Sequence, residues 1–146
     1  MARARIAIAI DRPIEDVFAV LTNVELTERW FPMQVKEHWT SPPPHGIGST
    51  RHAVITMFGR RSENDATVSE YEPPRRAAMI GTSQGVTFAA ALDFDTNGTQ
   101  TLVAVTLDFE ARGAMRLVMG PYMRWYRGQW DRGLVELKRM METREL

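Results

Sequence analysis

The last quarter of this chain keeps a different rhythm from the rest. From about Met115 to Met141 the bulky residues fall at Met115, Met119, Met123, Tyr126, Trp130, Leu134, Leu137 and Met141. Intervals of three and four place all eight on one stripe of a helix about 25 residues long. Most of the chain before it alternates with a period of two, the signature of half-buried strands. A long one-sided helix and a one-sided sheet bury their apolar surfaces most simply against each other.

The order of elements follows from residue patterns. Ile6, Ile8 and Ile10 alternate with Ala7 and Ala9, giving a first strand. Pro13 suits a first helical position, Glu15 and Asp16 suit the positive end of a helix dipole, and Ile14, Val17, Phe18 and Leu21 follow at helical spacing. Thr22 and Glu25 form a capping-box pattern for a second short helix that Pro32 ends after Trp30 and Phe31. Strands then follow from Val35, through Ala53, Ile55 and Met57 to the Gly59 turn, at Ala66 to Tyr71, and at Ala77 to Gly81. A tight turn is expected at Gln84-Gly85, and Val86, Phe88, Ala90, Leu92 and Phe94 share the next strand face. Asn97-Gly98 is the strongest hairpin signal, leading into the alternation of Val103, Val105, Leu107 and Phe109. Short turns between strands predict an antiparallel sheet with one buried face. Gly113 and Gly120 loosen the approach to the long helix, and Pro121 either starts its regular part or kinks it.

Composition excludes several functions. The 146 residues fit a single domain spanning 1–146, and 44% hydrophobic with 25% charged residues is ordinary for a folded soluble protein. Eighteen basic and eighteen acidic residues cancel, so no global field draws nucleic acid. The absence of cysteine removes disulfides, thiolate metal sites and thiol nucleophiles together. No run approaches the roughly 20 apolar residues of a membrane span, and the first ten residues lack a signal-peptide core, so a cytoplasmic location is expected.

The local sequence resembles the SRPBCC superfamily, the START-like and Bet v 1-like helix-grip proteins that include lipid carriers and polyketide cyclases. Ile10-Asp11-Arg12-Pro13-Ile14-Glu15-Asp16-Val17-Phe18 is similar to that family's strand-to-helix opening, and Leu21-Thr22-Asn23-Val24-Glu25 with Trp30-Phe31-Pro32 to its second helix. Gly46-Ile47-Gly48-Ser49-Thr50, Val68 to Arg76 and Leu134 to Glu142 fall where the family has comparable segments. The resemblance implies an α+β helix-grip fold: a curved antiparallel sheet of about seven strands around the C-terminal helix, with two short helices after strand 1. It also implies a cavity between sheet and helix, hydrophobic ligands, and no obligatory cofactor. It carries no catalytic residue over, because the family shares no catalytic motif.

The candidate site follows from these two faces. Leu134, Leu137 and Met141 are expected to pack as core. Met115, Met119, Tyr122, Met123, Tyr126 and Trp130 are bulkier and more adaptable; their spacing fits plain core or a cavity wall, and the fold favours the wall. Trp39, Met57, Phe88 and Phe109 point from the strands toward the same space. Glu37 shares the parity of Trp39, with a rim position expected. His38, His45 and His52 read as surface residues without ligand-spaced partners, so no metal site is expected. Asp93 to Gly98 opens like a calcium loop, but Ala104 stands where a bidentate glutamate is needed, so it reads as a hairpin. Arg112, Arg116, Arg124, Arg127, Arg132, Lys138 and Arg139 read as a solvated face. Trp125 falls opposite the apolar stripe and either covers a loop or marks a subunit contact.

These features favour binding over catalysis: a carrier, sensor or sequestering protein for an aromatic polyketide-like or lipid-like molecule, acting as monomer or homodimer. A polyketide cyclase or aromatase, with Tyr122, Tyr126, Glu37 and Arg116 as the polar groups, is the alternative. A protein-interaction module using Trp125 is the third.

Overall fold

The computed structural model describes residues 2–83 and 85–146. Seven strands form one antiparallel sheet in the order β1-β7-β6-β5-β4-β3-β2. They are β1 (Ala2–Ile10), β2 (Gln34–Trp39), β3 (Thr50–Met57), β4 (Arg60–Glu72), β5 (Arg76–Ser83), β6 (Val86–Asn97) and β7 (Gln100–Ala111). Between β1 and β2, which form the two edges, come α1 (Ile14–Thr22), a 3₁₀ turn (Val24–Leu26) and α2 (Thr27–Trp30). The long helix α3 runs from Met115 to Glu142. The helix-grip arrangement expected from the sequence is the observed one.

The hairpins explain the sheet order. Gly98 takes φ 64° at the β6–β7 turn, where Asn97 pairs with Gln100. Gly59 takes φ 74° beside Phe58 at φ 51° in the β3–β4 turn. Gln84 lies outside the described residues, so only Gly85, at φ 82°, is seen of the Gln84-Gly85 turn. One detail differs from expectation. Thr22 ends α1 and donates its hydroxyl to the Phe18 carbonyl, while Asn23 caps the 3₁₀ turn by accepting from the Glu25 amide. A threonine in the last turn of a helix can bond the carbonyl four residues back instead of capping the next element. Of the two places open to Pro121, the structure has the interior one, within α3.

The C-terminal half of α3 crosses the β1–β7 edge of the sheet. Leu134, Leu137 and Met141 are completely buried there, alongside Ile10, Val103 and Val105. Burying each such side chain contributes about 1.5–3 kcal/mol. Polar contacts fix the same end. Arg12 donates to the carbonyls of Met141 (2.8 Å) and Leu146 (3.0 Å), tying the helix end and the segment after it to the β1–α1 connection. Lys138 donates to the Ala9 carbonyl at 2.7 Å, and the Asp11 amide donates to Glu142 at 2.8 Å. Gly133 lets the helix backbone close on Trp30, Phe31 and Pro32, whose atoms lie 3.2–3.3 Å from where a Cβ would stand.

Candidate functional site

Toward its N-terminus α3 touches the sheet chiefly where Phe109 of β7 meets Tyr122 and Tyr126, and elsewhere stands off it. A cavity of about 590 Å³ lies between them. Its existence follows from small residues on the inner sheet face: Ala53 on β3, Ala77 on β5, and Ala90 on β6 all border it. Alanine cannot span the gap that curvature opens beneath a helix, and the larger residues only wall it. Phe58 and Met115 border the cavity and are also exposed, at 84% and 41%, so the mouth lies between the β3–β4 turn and the start of α3.

Nine of the ten candidate residues border this space: Trp39, Met57, Phe88 and Phe109 from the sheet, and Met115, Met119, Tyr122, Tyr126 and Trp130 from α3. Met123 does not; it is buried within the packed core, because its position on the stripe turns away from the void. The aromatic residues form a connected wall. Tyr122 and Tyr126 stack at 5.9 Å, Phe109 meets Tyr126 at 5.4 Å, and Phe31 meets Trp130 at 5.2 Å. Phe88 lies across its register partner Gly81, where a Cβ would collide with the Phe88 ring and with the Asp65 carbonyl oxygen. Only glycine leaves that ring its place.

Into this apolar wall the sheet sets three polar side chains. Glu37 on β2, Arg51 on β3 and Asn64 on β4 all face inward, each diagonal to the next across the strand register. Arg51 Nε lies 3.0 Å from Glu37 Oε2, with side-chain exposures of 9% and 13%. The N–H is not aligned on that oxygen, so the pair is held by charge rather than by a directed hydrogen bond. Arg51 Nη1 donates to Asn64 Oδ1, and its guanidinium carbon stands 5.8 Å from the Phe88 ring centre. Glu37 is therefore an inward acid and not a rim residue. Burial raises its pKa against the opposing pull of Arg51 and the Thr27 hydroxyl. Burial likewise raises Tyr122, and pushes Tyr126 up to about 12, so both phenols keep their protons at neutral pH.

Other expectations are redistributed. His45 is not a plain surface residue. Its ring stacks on Trp39 at 4.0 Å, its Nε2 donates to the Ser41 carbonyl, and it borders the cavity. His38 is exposed. His52 lies on the outer sheet face and, against expectation, has acidic partners: Asp65 at 2.8 Å and Glu63 at 3.2 Å, both from β4. Among the described residues no group of three or more such side chains is arranged to hold a metal. Trp125 packs on Phe58 at 5.2 Å, covering the β3–β4 turn. Arg116 is exposed and does not border the cavity. The parity of Ala53, Ile55 and Met57 extends to Arg51, and this was the available signal for the residue that sequence reasoning missed.

A family model described as polyketide cyclase / dehydrase and lipid transport matches residues 1–142. No curated protein matches the chain. Among solved structures, TTHA0849 from Thermus thermophilus is 14% identical with a TM-score of 0.78, over 99% of this chain and 100% of that one. NE0264 from Nitrosomonas europaea is 14% identical with a TM-score of 0.75, over 98% and 96%. DynU16, a protein in the dynemicin biosynthetic locus, is 18% identical with a TM-score of 0.67, over 97% of this chain and 47% of that one. Among the described residues no helix is long and apolar enough to cross a membrane.

Proposed function

The chain belongs to the polyketide cyclase / dehydrase and lipid transport family, and on that premise we propose that it binds a hydrophobic small molecule as a carrier, sensor or sequestering protein. The observation that carries this reading is the 590 Å³ cavity between the sheet and the first half of α3. That volume lies in the range that holds drug-sized ligands, and a mostly apolar wall with few polar groups is how such sites bind by shape and area. Aromatic side chains on both walls suit a flat or fused-ring ligand, and Met57, Met115 and Met119 suit one of variable outline. The test is native mass spectrometry and chemical-shift titration with polyketides, flavonoids, fatty acids and sterols. Binding of one class, with shifts at Phe88, Phe109 and Tyr126, is expected. No binding across the panel overturns the reading.

A second reading, as a cyclase or aromatase, is supported by the inward acid and the two protonated phenols. A general acid or base must reach the reacting atom, and Glu37, Tyr122 and Tyr126 all border the space a folded chain would occupy. Incubation with a reactive poly-ketone surrogate separates the readings. Ring closure that disappears in Glu37→Gln and Tyr126→Phe favours the enzyme; identical product mixtures with and without protein favour the carrier.

A further inference from the structure

The cavity has one feature that binding by shape does not require. Two opposite charges stand inside an apolar wall, and the site would be simpler to fold without them: taking an ion pair out of water usually costs more than the pair returns. Their arrangement is also unbalanced. Glu37 meets Arg51 by charge alone, Asn64 takes Nη1, and among the described residues Arg51 Nη2 makes no hydrogen bond, while Arg51 itself borders the cavity. A planar guanidinium is a fork built for two oxygens at once. Here one prong is held by a neutral amide and the rest faces a carboxylate that is close but poorly aligned. The fork is positioned, buried and incompletely used.

We propose that the Glu37–Arg51–Asn64 cluster is the subsite for a polar head, and that the ligand is an amphiphile bearing a single anionic oxygen group, a carboxylate or a phenolate, which takes Arg51 from Glu37. This rests on the cavity being a ligand site. Phe88, at 5.8 Å from the guanidinium, and Tyr126 from α3 hold the apolar body next to that head.

Displacement has a chemical consequence. Once Arg51 pairs with the ligand, Glu37 keeps its desolvation and loses its counter-charge, with a second anion now beside it. The facing groups do not replace that charge. Tyr126 and Tyr122 on α3 are neutral, and Thr27 from α2 offers a hydroxyl. Arg60, Arg61, His45 and Tyr71 border the same cavity without pairing to Glu37. Glu37 therefore takes one proton from solvent as the anion binds, and the net charge of the cluster is conserved. Binding of the anion then weakens as pH rises, by at most about tenfold per pH unit.

Calorimetry of the full chain near neutral pH tests this with matched probes: 2-naphthoate against its methyl ester, 2-naphthol, and dodecanoate against dodecanol, each in two buffers of different ionisation enthalpy. The expected result is a preference of about tenfold or more for a carboxylate probe over its neutral partner, with about one proton taken up; 2-naphthol, which brings its own proton, should pass it to Glu37 and bind with no net uptake. The naphthoate and naphthol arms show whether carboxylate or phenol is the head. Glu37→Gln should keep the anion and abolish the uptake. Arg51→Met should lose the preference while still binding the neutral partner, and Arg51→Lys should restore part of it. Equal binding of anion and neutral partner by the wild type overturns the inference and leaves the cavity reading standing. So does carboxylate binding without proton uptake. Binding of no probe at all removes both. The wild-type comparison decides the matter even where Arg51→Met does not fold.

Discussion

The two halves of α3 are one helix with two occupations. Leu134, Leu137 and Met141 are completely buried against the β1–β7 edge, and the helix end is fixed by Arg12, Lys138 and Glu142. Met115, by contrast, is 41% exposed, and Met119, Tyr122 and Tyr126 roof a void. The apolar stripe is continuous through both halves, so the helix does not decide which half is solid. The sheet decides. Opposite the C-terminal half it presents Ile10, Val103 and Val105; opposite the other it presents alanines and the edge of a hollow. Stability and binding are thus separated along one element, and the solid half can hold the hollow half open.

The sharpest way to break this contrast is to make one substitution twice. Met141→Ala removes a fully buried side chain from a region with no room to relax, and should cost about 2–5 kcal/mol. Met115→Ala removes the same atoms from a cavity mouth, and should cost about 1 kcal/mol or less. Urea unfolding of both variants measures the difference. Equal losses would mean that the first half of α3 also carries the fold.

Glycines offer a smaller version of the same test. A Cβ at Gly128 meets nothing within 4 Å, so Gly128→Ala should gain up to about 1 kcal/mol from helix propensity. At Gly133 the added methyl would press on Trp30, Phe31 and Pro32, so Gly133→Ala should forfeit that gain and lose about 1 kcal/mol or more. If both substitutions stabilise, the close approach of α3 to the α2 segment is not a packed contact. The comparison also tests how α2 is held, since Gly133 is where α3 closes on that segment.

Much of this division was legible before any coordinates. Period-two and period-3.6 patterns separate sheet from helix because each geometry repeats its facing side at its own interval. Asn97-Gly98 announced its hairpin by the same logic of allowed backbone angles. The cavity was only half legible. Its large residues stood out as bulky and adaptable, yet a void is defined as much by what is missing, and Ala53, Ala77 and Ala90 carried that information unread. Met123 shows the limit from the other side. A stripe one residue wide covers an arc broad enough that neighbours on it face different partners. Glu37 was placed at a rim because a buried acid without a known partner is costly; the partner, Arg51, lies on another strand, and cross-strand diagonals depend on a register that spacing alone does not fix. The acids beside His52 escaped notice for the same reason.

His52 gives the mildest test, and it concerns the wall of the hollow half. Strands β3 and β4 carry Arg51 and Asn64 on the inner face and the His52–Asp65–Glu63 cluster on the outer one. Hydrogen bonds to Asp65, then to Glu63, raise the His52 pKa above its ordinary value of about 6.5. A histidine raised on folding contributes stability fully below the unfolded pKa, and that contribution is lost as pH rises through the folded value. Both ring nitrogens donate only while the ring is charged, so deprotonation removes one of the two cross-strand bonds. The wall should therefore loosen at alkaline pH while the Arg12 latch at the far end of α3 does not. Comparing wild type with His52→Asn at pH 5.5 and 8.5, amide exchange in β3 and β4 should differ between the proteins at the lower pH and converge at the higher. The amides of Leu134 to Met141 should be unaffected at both. A difference that grows with pH would mean that His52 acts as a neutral spacer, and that the hollow wall owes nothing to its outer charges.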